Sequence, residues 1–83
     1  MIRVLFFARI REQLGTGGLE IAAEGIATLD QLQQRLIEDH EPGWGEVLGA
    51  QNVLRAVNQQ AAELDQAIAD GDEVAFFPPV TGG

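Results

Sequence analysis

The chain opens on an alternation. Ile2, Val4 and Phe6 are all apolar, whereas the interleaved Arg3, Leu5 and Phe7 include a charge. Successive strand residues point to opposite faces. Ile2 to Ala8 is therefore predicted as a strand whose first set faces the core. Gly15-Thr16-Gly17-Gly18 interrupts the pattern, and Leu19 to Ala23 resumes it with Leu19, Ile21 and Ala23 inward. The two stretches predict a hairpin with a long connection. From Thr28 to about Asp39 the period changes. Leu29, Leu32, Leu36 and Ile37 fall at i, i+3, i+7 and i+8, one helical stripe. Thr28 and Gln31 have capping-box spacing, and Asp30 puts a negative charge in the first turn. Pro42-Gly43 ends the helix.

Beyond it, Trp44, Val47 and Leu48 fit one short helical turn, and Val53 to Asn58 fits a third strand. Ala61 to Ile68 is ambiguous, consistent with a short strand and a single turn. Asp70-Gly71-Asp72 reads as a turn. Glu73 to Pro78 is the last strand, with Val74 and Phe76 on one face and Glu73, Ala75 and Phe77 on the other. One long helix can cover only one face of a sheet. The order predicts an α+β roll of the β-grasp type, a mixed sheet with one main helix on one face.

At 83 residues the chain has room for a single domain, residues 1–83. Such a domain buries only roughly 60 to 65% of its unfolded surface, which leaves little for a deep internal active site. Its apolar fraction of 46% is that of a folded protein. There is no cysteine, which excludes a disulfide framework, a thiolate metal site and a cysteine nucleophile. The first apolar run is too short for a signal-peptide core or a membrane span, and a cytoplasmic location is expected. Thirteen acids stand against five arginines, for a net charge of −8, and lysine is absent. Such a surface repels nucleic acid and anionic membranes and favours partners with a basic docking surface.

Several motifs read as plain structure. Gly15-Thr16-Gly17-Gly18 lacks the lysine of a phosphate-binding loop and does not run from a strand into a helix. Asp70-Gly71-Asp72 lacks the ligand spacing and closing glutamate of a calcium loop. His40 sits near a helix C-terminus, where a cation is favoured. No carboxylate pair or nucleophile–base set stands out, and no metal site is expected. The C-terminus is different. Pro78-Pro79 ends the ladder of the last strand and stiffens the exit. From Pro79 onward, the tail 79–83 is expected to be flexible and can reach roughly 13 to 18 Å when extended. Gly82 and Gly83 have no Cβ, so the end is a thin thread that can enter a narrow enzyme pocket. The pattern describes a carrier domain rather than an enzyme in its own right.

The run Asp70-Gly71-Asp72-Glu73-Val74-Ala75-Phe76-Phe77-Pro78-Pro79-Val80-Thr81-Gly82-Gly83 resembles the C-terminal signature of the molybdopterin synthase small subunits. Val4-Leu5-Phe6-Phe7-Ala8, Arg11-Glu12 and Ala56-Val57-Asn58-Gln59 are similar to the same family. The resemblance implies a ubiquitin-like β-grasp fold and the role of a sulfur carrier in molybdenum cofactor biosynthesis. An adenylating activating enzyme would use ATP to convert the Gly83 carboxylate to an acyl-adenylate. Sulfur from a sulfur-donating enzyme would replace AMP, leaving a thiocarboxylate on Gly83. The large synthase subunit would receive it in a heterotetramer of two small and two large subunits, where the sulfur builds the dithiolene of the pterin precursor. This chain would bind no cofactor of its own. A thiamin-thiazole type sulfur carrier and a ubiquitin-like modifier conjugated through Gly83 are the alternatives.

The two mixed strand sets also suggest where a partner docks. If the first and last strands are neighbours, Phe7 and Phe77 lie close together on the uncovered face, where exposed aromatics mark binding sites. Arg11 is expected at the rim of that surface. The tail residues Pro78, Pro79, Val80, Thr81 and Gly82 would fill the partner's channel, with Gly83 at the reacting end. The missing lysines would keep an activated terminus from acylating its own chain.

Overall fold

In the computed structural model, which describes residues 1–79, the chain runs β1 (Ile2–Phe6), α1 (Ala8–Leu14), β2 (Gly18–Ile21), α2 (Leu29–His40), α3 (Trp44–Leu48), β3 (Leu54–Val57), β4 (Gln60–Ala61) and β5 (Glu73–Phe77). The strands form one sheet in the order β2-β1-β5-β3-β4. β1 and β5 pair in parallel and in step, from Arg3 opposite Glu73 to Phe6 opposite Phe76. β2 is antiparallel to β1, and β3 is antiparallel to both β5 and β4. This is the mixed sheet of a ubiquitin-like β-grasp roll.

The parity read from the sequence sets the core. Ile2, Val4 and Phe6 are buried together with Val74 and Phe76, and Leu29, Leu32 and Leu36 of α2 close over them. Phe6 stacks on Phe76 with ring centroids 5.8 Å apart, and Trp44 meets Phe6 edge-on at 5.5 Å. Both are geometries that aromatic quadrupoles favour. The capping box of α2 is formed in both directions between Thr28 and Gln31. Two amides of its first turn donate outside the helix, Leu29 to Gln66 O and Asp30 to Leu64 O, each at 2.9 Å. Helix-end donors that would otherwise lack partners thus hold the segment after β4 against α2. That segment carries only an isolated bridge, Thr28 to Ala67.

Two expectations need correction. β1 ends at Phe6 rather than Ala8, because Ala8 has a φ of +54° and turns the chain out of the sheet. The supposed long connection of the first hairpin is largely α1, which Gly15 closes in a left-handed C-cap with its N–H bonded to Arg11 O. Elsewhere the differences are at the ends: β5 stops at Phe77, and β3 starts one residue later than expected and stops one residue earlier. β3 turns into β4 through Asn58 and Gln59, both at positive φ. This is the geometry of a two-residue hairpin loop, which favours glycine at its second position. Asn58 also accepts from Glu73 N at 3.0 Å and donates to Asp72 at 3.1 Å. The Asp70-Gly71-Asp72 turn therefore aligns the start of β5.

Gln59 is exposed and has a φ of +69°, so Gln59→Gly should raise unfolding free energy by about 1 kcal/mol by removing the left-handed penalty on its Cβ. Urea denaturation checks this; an unchanged or lower midpoint would contradict it.

Candidate functional site

Because β1 and β5 are parallel, Phe7 and the Pro78-Pro79 exit leave the sheet at the same end. The Phe7 N–H donates to Phe76 O at 3.1 Å. β3 enters at this end as well, with Leu54 directly opposite Phe77. The face away from α2 carries Arg3 and Leu5 from β1, Glu73, Ala75 and Phe77 from β5, and Leu54 from β3. Phe7 has extended backbone angles and continues the Arg3–Leu5 set.

This face changes character along its length. At the start of β1, Arg3 lies in register between Glu20 and Glu73. Toward the tail it becomes apolar. Phe7 is 47% and Leu54 44% exposed, while Leu5, Ala75 and Phe77 are half-buried. Patches of this kind mark interaction surfaces. Phe7 and Phe77 share the face but do not stack; the aromatic pairs among the described residues are Phe6–Phe76, Phe6–Trp44 and His40–Trp44. Leu54 belongs to this surface, although the sequence did not single it out. Its signal was the strand pattern Leu54-Arg55-Ala56-Val57, whose register could not be set without β5.

Arg55 explains that pattern. It points to the covered side of the sheet, beneath the helices. Its Nε donates to Gln33 Oε1 at 2.7 Å, one terminal nitrogen to Leu48 O at 3.0 Å and the other to Val53 O at 3.2 Å. Its guanidinium lies 5.9 Å from the Phe76 ring centroid. Burial lowers its pKa from the ordinary value, opposed by the charges of Glu63 and Asp30. A guanidinium stays protonated under such pressure. One side chain thus ties α2, α3 and β3 together under the strand that carries Phe77, and it satisfies the buried Gln33.

Arg11 is exposed on α1, and its guanidinium nitrogen would stand 3.3 Å from a Cβ at Gly17. A Cβ at Gly18 would come within 2.6 Å of Val4 O, so this glycine lets β2 close on β1. Both observations give Gly15-Thr16-Gly17-Gly18 a structural role. His40 donates through Nδ1 to Leu36 O at 2.8 Å and stacks on Trp44 with ring centroids 4.0 Å apart. Beside the tail exit, Pro78 helps line a groove between α1 and α3 with Arg9, Gln13 and Val47. No cluster of three or more His, Asp or Glu side chains that could hold a metal occurs among the described residues. No helix among them is long and apolar enough to cross a membrane. Val80, Thr81, Gly82 and Gly83 lie outside the described residues.

A family model described as the ThiS family matches residues 4–83. The molybdopterin synthase sulfur carrier subunit of Escherichia coli is 47% identical over 83 residues, covering 100% of both chains. The crystal structure of SAMP1 from Haloferax volcanii superposes with a TM-score of 0.76 at 30% identity, over 99% of this chain and 98% of that one. A structure described as the protein–protein complex of subunits 1 and 2 of the molybdopterin-converting factor from Helicobacter pylori contains a chain that superposes with a TM-score of 0.70. Its identity is 29%, over 99% of this chain and 97% of that one.

Exposure separates the aromatics. Phe76→Ala should cost about 3 to 5 kcal/mol of unfolding free energy, as for a buried ring. Phe7→Ala should cost under about 1 kcal/mol. Chemical denaturation of both variants checks this; equal losses would show that Phe7 is part of the core.

Proposed function

The chain belongs to the ThiS family, and on that premise we propose that it is the sulfur carrier of molybdenum cofactor biosynthesis, the small subunit of a molybdopterin synthase. The observation that carries this reading is the full-length identity with the Escherichia coli sulfur carrier subunit. The fold supplies its physical basis. β5 is held on both sides, so Pro78 and Pro79 leave from a fixed point at the apolar end of the open face. Two glycines at the end let the chain pass where a side chain would block.

In this reading Gly83 is the reacting residue. An activating enzyme joins its carboxylate to the α-phosphate of ATP and releases pyrophosphate. Sulfide-level sulfur, delivered by a separate donor enzyme, then attacks the acyl carbon; the bond from that carbon to AMP oxygen breaks, AMP departs, and a thiocarboxylate remains. This chemistry needs no cysteine from the carrier, and this chain has none. The thiocarboxylate donates its sulfur to a pterin precursor held by a large subunit. Because a dithiolene contains two sulfurs, each product consumes two loaded carriers.

The Helicobacter pylori complex supports a large-subunit partner. We place that partner on Phe7, Leu54 and Phe77, with Arg11 at the rim. Pro78, Pro79, Val80, Thr81 and Gly82 lead Gly83 into its active site, in an assembly of two small and two large subunits. The chain binds no cofactor, and ATP acts at the activating enzyme. The cytoplasm is the compartment that suits such a system. The likeness to an archaeal modifier favours conjugation through Gly83 as a second reading. Its lower identity and the whole-length synthase match place it behind the first, and a thiamin-thiazole carrier stands further back.

Deleting Gly83, or adding one residue after it, should abolish sulfur transfer in a reconstituted assay while the unfolding midpoint stays unmoved. Continued molybdopterin synthesis by the truncated chain would overturn the carrier mechanism. Phe77→Ala should weaken assembly with the large subunit by about 2 kcal/mol or more. Titration calorimetry reads this directly, and unchanged affinity would remove Phe77 from the interface.

A further inference from the structure

An activated glycine carbonyl will react with whatever nucleophile reaches it. The sequence contains no lysine, cysteine, serine or tyrosine. Its five cationic side chains are all arginine, whose guanidinium stays protonated and is a poor nucleophile. What remains is weak or occupied. The Thr16 hydroxyl donates to Gly18 O, and the Thr28 hydroxyl accepts from Gln31 N in the helix cap. Thr81, in the tail, carries a hydroxyl that needs an adjacent base to attack. The His40 imidazole is bonded through Nδ1 and stacked on Trp44.

The remaining amine, at Met1, is out of reach of its own tail. It is ion-paired with Asp70, and Gly71 N donates to Met1 O at 3.0 Å. That is the end of the sheet opposite the tail exit. From Gly71 to Pro79 the chain is mostly strand and covers roughly 20 to 25 Å. Val80 to Gly83 can span at most roughly 13 to 14 Å. A tail leaving Pro79 cannot fold back to its own amino end.

We propose that this chain is an acyl donor whose side chains offer no amine acceptor and whose amino end lies beyond its own tail, so that its activated C-terminus reacts with sulfur or with a partner and neither closes on its own chain nor builds isopeptide-linked multimers. This rests on the reading of Gly83 as the adenylated residue. The side reaction avoided is aminolysis: an amine nitrogen bonds to the Gly83 carbonyl carbon, the bond from that carbon to AMP oxygen breaks, AMP departs and the nitrogen loses a proton. Within one chain it would close a ring, and between chains it would build isopeptide-linked multimers. Both would remove carriers from sulfur transfer. Any conjugate formed through Gly83 would therefore bear one copy per acceptor lysine, with no isopeptide chain built on this protein's own side chains.

Two exposed glutamines give the test. Gln13 lies beside Pro78 in the groove at the tail exit, whereas Gln60 is on β4, away from it. Wild type, Gln13→Lys and Gln60→Lys are each incubated with the activating enzyme and ATP, without a sulfur donor, and read by intact-mass spectrometry. Pyrophosphate release is followed in parallel. Wild type should form neither a ring nor a side-chain-linked dimer while releasing pyrophosphate. Gln13→Lys should yield a cyclised chain lighter by one water, and Gln60→Lys should yield linked dimers. Supplying the sulfur donor should suppress both products in favour of thiocarboxylate. Wild-type rings or side-chain-linked dimers, or lysine variants that release pyrophosphate yet form no adduct, would overturn the inference and leave the carrier reading standing. Absence of pyrophosphate release from every chain would overturn both.

Discussion

The structure depends on one parallel pairing, that of β1 with β5. The two strands come from opposite ends of the sequence, yet they run in step, Arg3 with Glu73 through Phe6 with Phe76. A slip of one residue would turn every side chain of a strand to the other face. The native register puts Ile2, Val4, Phe6, Val74 and Phe76 under α2 and leaves Leu5, Phe7, Ala75 and Phe77 outside. Core and docking surface are thus two sides of one decision. The Phe6–Phe76 pair is part of that register, with both rings buried and stacked in the core.

How much of this the sequence showed follows from how strongly each segment is patterned. β1 and β5 alternate cleanly, and α2 combines an apolar stripe with a capping box, so all three could be read directly. α1 could not. It buries only Ile10, with Leu14 half-buried, its N-cap Phe7 has no capping side chain, and its first residue, Ala8, has a positive φ. Each of these suppresses a usual helix signal. β4 has two residues, and its turn carries Asn58-Gln59 where glycine would have announced it. β3 turns Arg55 inward and Leu54 outward, for reasons that lie in Gln33, Leu48 and Phe77, which the strand pattern alone does not show. For the site, the tail motif and Phe7 and Phe77 stood out in the chain. Leu54 needed the sheet.

The acidic surface and the arginine-only cation set suit the same chemistry. Arginine provides the Arg55 brace without a titrating amine. The open face carries its charge at the amino end of β1 and its apolar residues at the tail end. A partner on the apolar end, as proposed, would sit beside the Pro78-Pro79 exit.

The position of β5 has a mechanical consequence. A partner that draws on the tail pulls along the axis of a strand bonded to β1 on one side and β3 on the other. Hydrogen bonds lying across that axis are loaded together in shear, whereas an edge strand peeled sideways would lose them one after another. The fold thus anchors the thread where it resists tension best, so that an enzyme can grip the last residues firmly and release them without unravelling the body behind.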